Sequence, residues 1–72
     1  MILHVTPAYG RDYKSKAAAQ KDWDEEKDFR INDISHPDDG RYVNKQQTGP
    51  NDMIMLRYGG LRKVMRLENI HK

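Results

Sequence analysis

The sequence predicts an α+β fold: a single helix packed on a small, mostly antiparallel sheet, in the order β-α-β-β-β-β. Three observations point there. A run of alanines at Ala17-Ala18-Ala19 marks one segment of high helix propensity. Short apolar runs with alternating polarity lie on both sides of it, bounded by Pro, Gly, Asn and Asp. A chain of 72 residues leaves room for one domain, residues 1–72.

The first strand is expected over Ile2–Val5, stopped at Thr6-Pro7 because proline donates nothing to a ladder. Ala8–Lys14 reads as a loop turning at Gly10 and Asp12. Ser15 suits an N-cap, and the helix it starts is expected to end near Lys27. Its apolar face is narrow, so it rests on the sheet through Trp23 and the alanines.

Asp28–Ile34 places Phe29 and Ile31 on one face of a second strand, with Ile34 breaking the parity at a bulge or an end. His36-Pro37-Asp38-Asp39-Gly40 is a turn, and Arg41-Tyr42-Val43 returns from it. Asn44–Asp52 is a loop. In the last hairpin Ile54, Leu56 and Tyr58 alternate with Met53, Met55 and Arg57, and Leu61–Leu67 returns. A two-residue turn at Gly59-Gly60 pairs Arg57 with Arg62, Leu56 with Lys63, Met55 with Val64 and Ile54 with Met65. Asn69–Lys72 is expected to fray. Strand order stays open, with the first strand beside either the second or the last; parallel to the second, it would need a right-handed crossover.

The chain is polar, with a mean hydropathy of -1.04, and its core must be thin. Modest intrinsic stability follows, leaving a monomer or a weak homo-oligomer. Without cysteine there is neither a disulfide framework nor a thiolate metal site. No apolar run approaches the roughly 20 residues that span a bilayer, so no membrane partner is expected. The first residues lack the basic region of a secretion signal, and a cytoplasmic location is expected, including that of an infected host cell.

Net charge is only +2, a weak lean toward anionic partners, but the charges are segregated. Acidic residues crowd Asp22–Asp39, while Arg57, Arg62, Lys63, Arg66 and Lys72 face Glu68 alone near the end. Carboxylates from Asp22 to Asp28 oppose a helix dipole, a cost that a basic partner or the Arg57/Arg62 strip would offset; a solvated helix end is the plainer reading. The arginine strip, with Arg66 two places further on, suits phosphates or an acidic protein surface. Equally, it suits pairing with the chain's own acids, or plain solvation. Tyr58 and Tyr42 are placed to stack on bases, or to pack in the core. Met65 is read as core, whereas Met55 and Val64 form an apolar patch on the opposite face, beside the arginines. The candidate partner-binding residues are therefore Arg57, Arg62, Arg66, Lys63, Met55, Val64 and Tyr58.

His4, His36 and His71 share no ligand spacing, and His36 near Asp38 and Asp39 reads as a salt-bridged turn. There is no nucleophile elbow and no phosphate-cradling glycine loop. Neither a catalytic residue, a metal nor a cofactor is assigned, and the chain reads as no enzyme.

Four segments, Ala8-Tyr9-Gly10-Arg11-Asp12-Tyr13-Lys14-Ser15, Lys27-Asp28-Phe29, Asp39-Gly40-Arg41-Tyr42-Val43-Asn44-Lys45 and Leu61-Arg62-Lys63-Val64, together resemble small, largely uncharacterised proteins of bacteriophage and prophage genomes of proteobacteria. The resemblance runs over most of the chain and assigns no residue a role. It implies an accessory factor that binds, and inhibits, a host macromolecular machine acting on nucleic acid, such as RNA polymerase, a nuclease or a defence complex. The partner is then a host protein or nucleoprotein complex. Direct binding of RNA or single-stranded DNA through the basic C-terminal hairpin is the alternative.

Overall fold

The computed structural model describes residues 1–57 and 64–71. Among them, strands β1 (Ile2–Pro7), β2 (Phe29–Ile31), β3 (Tyr42–Val43), β4 (Met53–Arg57) and β5 (Val64–Leu67) form one sheet in the order β3-β2-β1-β4-β5. Helix α1 (Lys16–Asp24) joins β1 to β2, and a short 3-10 turn covers Lys45–Gln47. The fold is thus α+β, with one helix on a mixed sheet whose pairings are antiparallel except β1 with β4.

β1 is the central strand, flanked by β2 and β4 rather than by β5. It runs antiparallel to β2, so no crossover is needed: α1 and its two loops return the chain to the end of the sheet it left, where Pro7 faces Phe29. The strand also continues past the expected stop. Its register with β4 is recorded only as far as Val5↔Leu56, so Pro7 lies where no N–H is required on that side.

The alternation of the strands sends Leu3, Val5, Phe29, Ile31, Val43, Ile54, Leu56 and Leu67 to one face, where Ala19 and Trp23 of α1 close the core. Tyr13, from the loop before the helix, joins them and stacks on Phe29 at 5.9 Å, while the Trp23 ring meets Phe29 edge-on at 5.6 Å. A thin core is widened here by an aromatic cluster over β2.

The Ser15 hydroxyl accepts the Ala18 N–H, as the cap requires. The helix stops earlier than Lys27. Lys27 N–H donates to Asp22 C=O at 3.0 Å and Glu26 N–H to Trp23 C=O at 3.0 Å, a Schellman closure with Glu26 at φ 63. That left-handed residue, not charge, terminates α1.

The hairpin register also differs from expectation. Ile54 faces Leu67, Met55 faces Arg66, Leu56 faces Met65 and Arg57 faces Val64, a shift of two positions. The shift has a clear cause. A tight turn at Gly59-Gly60 would oppose Leu56 with Lys63 on the covered face, whereas the observed register gives Leu56 and Ile54 apolar partners there. The turn itself lies outside the described residues.

Beyond β5 the chain is anchored rather than frayed. Gln20 of α1 exchanges two hydrogen bonds with the backbone of Glu68, at 2.9 and 2.7 Å. Asn69 then accepts from the Trp23 indole and donates to the carbonyls of Gly49 and Asp52.

Candidate functional site

Because α1 and the core occupy one face, the other face of the sheet has, among the described residues, no helix or strand over it. Its residues follow from the register. Tyr42 lies beside Arg30 and Arg30 beside Thr6, while Arg57 lies beside Val64; carrying the β1–β4 register one position past Val5↔Leu56 aligns the two sets as one row. A second row runs from His4 through Met55 to Arg66, and a third joins Ile2 and Met53. The face is aromatic at the β3 edge, cationic across the middle and cationic again at β5.

Arg30, Arg57 and Arg66 are all exposed, and among the described residues none of them forms an ion pair. The acid closest in sequence to Arg66 is turned away, since Glu68 reaches Lys16 on the helix at 4.0 Å. His4, on the central strand of this face, holds Asp33 at 3.1 Å. Asp33 is held down to about 2 by hydrogen bonds from the Ser35 hydroxyl, from His4 and from the Ser35 N–H.

The chain's acidic segment finds cations elsewhere. Asp22 accepts from the Tyr13 hydroxyl at 2.7 Å, from Lys27 at 3.2 Å and from Arg11 at 3.4 Å. Those contacts, Tyr13 first, hold its carboxyl below the usual range, while burial and Asp22 push the Tyr13 phenol up. Asp24 lies 3.5 Å from Lys45. Among the described residues, Arg57 and Arg66 take no part in this compensation.

Of the sequence-derived site residues, Arg57, Arg66, Met55 and Val64 share the open face. Arg57 lies opposite Val64 instead of Arg62, so each described arginine of the hairpin faces an apolar residue and like-charge opposition does not arise between them. Met55 and Val64 are half-buried, not an exposed patch. Met65 lies on the covered face opposite Leu56, half-buried. Arg62, Lys63 and Tyr58 lie outside the described residues.

Two residues of the face escaped sequence reading. Arg30 alternates with Phe29 and Ile31, and that period-two signal already sent it away from the core. Tyr9 is the other. Its backbone sits at φ 58, the residue is 70% exposed, and its ring stacks on Tyr42 at 4.9 Å and 22° although Tyr42 is itself 51% exposed. The Tyr9 hydroxyl donates to Asp28 at 3.4 Å, and partial desolvation followed by the Asp28 charge pushes its phenol up.

At the end of the sheet, bordering this face at Ile2 and Tyr42, a cleft of about 730 Å³ opens towards Ile31 and Pro37. Its carboxylates serve internal contacts: Asp38 meets Arg41 at 3.6 Å, and Asp52 accepts the Gly49 N–H at 2.8 Å. Among the described residues no group of His, Asp or Glu converges as a metal site, and no helix is long and apolar enough to cross a membrane. His36 Nδ1 accepts the Asp38 N–H at 3.0 Å.

Fold and face together define a small α+β domain that presents one cationic, aromatic-edged sheet surface. Compared with family models, curated proteins and solved structures, the chain matches none.

Proposed function

We propose that the chain is a non-enzymatic, phage-type accessory protein that acts in the host cytoplasm by binding, and inhibiting, a nucleoprotein machine through the open sheet face. The observation that supports this reading is the placing of Arg30, Arg57 and Arg66 in adjacent rows of one sheet face, exposed and, among the described residues, in no ion pair. Desolvating those guanidinium groups is offset only by an anionic partner, which makes the face selective for one. Half-buried Met55 and Val64 between the arginines add apolar contact once water is displaced.

The test is retention of proteins from bacterial lysate on the tagged chain, compared with Arg57→Glu/Arg66→Glu, followed by an activity assay of the retained machine with purified chain added. Both positions are exposed, so the variant is expected to fold normally. A machine retained by the wild type, lost with the variant and slowed by the purified chain supports the reading. Equal retention by the variant removes the site assignment, and retention of nothing removes the function.

A further inference from the structure

We propose that what lies against the open face is a single strand of nucleic acid, its phosphates along Arg30, Arg57 and Arg66 and a base on the Tyr9–Tyr42 stack. The inference rests on the open face being the binding surface and adds which chemistry occupies it. Charge complementarity alone admits an acidic protein, so the discriminating observation is the aromatic pair. Two tyrosine rings stack at 4.9 Å while both remain more than half exposed. Tyr9 holds a left-handed backbone at φ 58, a strained conformation for a non-glycine residue, and yet the residue is 70% exposed. Core packing therefore does not account for this pair. A planar, solvent-facing platform at the end of a cationic row is what an unpaired base requires.

The spacing agrees. Tyr42 is the direct neighbour of Arg30 across β2 and β3. Two inter-strand steps separate β2 from β4, so Arg30 and Arg57 stand about 10 Å apart at the backbone. Arg57 and Arg66 are diagonal neighbours, about 7–8 Å apart by the same pleat geometry. A strand crossing from β3 to β5 thus meets an aromatic contact first and then cations at steps that its flexible backbone can match. A duplex, whose bases are stacked internally, gains nothing from the tyrosines.

The experiment measures anisotropy of labelled oligodeoxythymidine and oligouridine, and of a duplex, against salt. For three phosphates at about 0.7 ions each, log affinity is expected to fall with log salt at a slope of about −2. Tyr42→Ala is expected to weaken single-strand binding about fivefold to a hundredfold and to leave duplex binding unchanged. Thermal denaturation of the variant controls for folding, and Tyr42→Phe, which keeps the platform, is expected to bind as the wild type does. Equal affinity for duplex and single strand, or no loss in Tyr42→Ala, overturns the proposal. So does a machine retained after nuclease treatment by a chain that binds no oligonucleotide, an outcome that leaves the proposed function standing with an acidic protein surface as the occupant. Oligonucleotide binding with no retained machine does the reverse.

Discussion

The indole N–H of Trp23, fully buried in the middle of the core, donates to Asn69 Oδ1 at 3.1 Å, and the amide of Asn69 donates in turn to Gly49 C=O at 3.0 Å and Asp52 C=O at 3.1 Å. One side chain past the last strand thereby fastens helix α1 and the loop before β4 together. Asn69→Ala strands the indole N–H and frees two carbonyls, for an expected loss of about 2–3 kcal/mol. In a domain of this size that lowers Tm by roughly 10–20 °C. Ile70→Ala, at a side chain 68% exposed, is expected to stay within about 0.5 kcal/mol. Chemical denaturation of the two variants side by side decides it, and equal stabilities would remove Asn69 from this role.

The register of the last hairpin has its own consequence. Leu67 is 1% exposed opposite Ile54, so Leu67→Ala opens a cavity and is expected to cost about 2–4 kcal/mol. Met65 is half-buried, and Met65→Ala is expected to cost clearly less. A register with Met65 opposite Ile54 reverses that order, so urea denaturation of both variants separates the two pairings.

That register shows where the sequence was legible and where it was not. Period-two alternation put Ile54 and Leu56 on the covered face and Met55 on the other, and a two-place slip preserves every such assignment. The Gly59-Gly60 signal points to the other slip because turn chemistry carries no information on packing, and it would set Lys63 opposite Leu56 on the covered face. Ser15, Trp23 and the parity of Phe29 and Ile31 were readable locally. Strand order was not, since β1 meets β4 across about fifty positions with no short-range cue. The open face suffered most from this: Arg30 and Arg57 become members of one row only once β1 is known to lie between their strands. Tyr9 was hidden for a different reason, its left-handed backbone being a position where glycine, not tyrosine, is anticipated.

Glu26 offers a stabilising change. It occupies the left-handed closing position of α1 at φ 63, where glycine is favoured, and its carboxylate lies at the negative end of the helix dipole. Glu26→Gly relieves both the Cβ strain and the charge, and is expected to raise stability by about 0.5–1 kcal/mol in spite of glycine's greater unfolded-state entropy. Glu26→Ala removes only the charge and is expected to gain less. A glycine variant less stable than the alanine one would show that the left-handed position carries no strain.

Stability below pH 4 is expected to depend on Asp33. Its carboxyl is held at about 2, against an ordinary 3.8, by the Ser35 hydroxyl at 2.6 Å, by His4 at 3.1 Å and by the Ser35 N–H at 3.0 Å. A carboxyl whose folded value is depressed is protonated first in the unfolded chain. Its contribution is therefore complete above about 3.8 and drains away as pH falls from there toward about 2. Asp22 is shifted in the same direction and adds to the slope. Ser35→Ala removes the largest of the three contacts, so the Asp33 carboxyl is expected to titrate closer to its ordinary value and the fall in stability across this window to become shallower. Carboxyl-carbon NMR titration reads the first effect and denaturation at stepped pH reads the second. An Asp33 that titrates near 3.8 in the wild type would show that the Ser35 and His4 contacts do not hold its charge in solution.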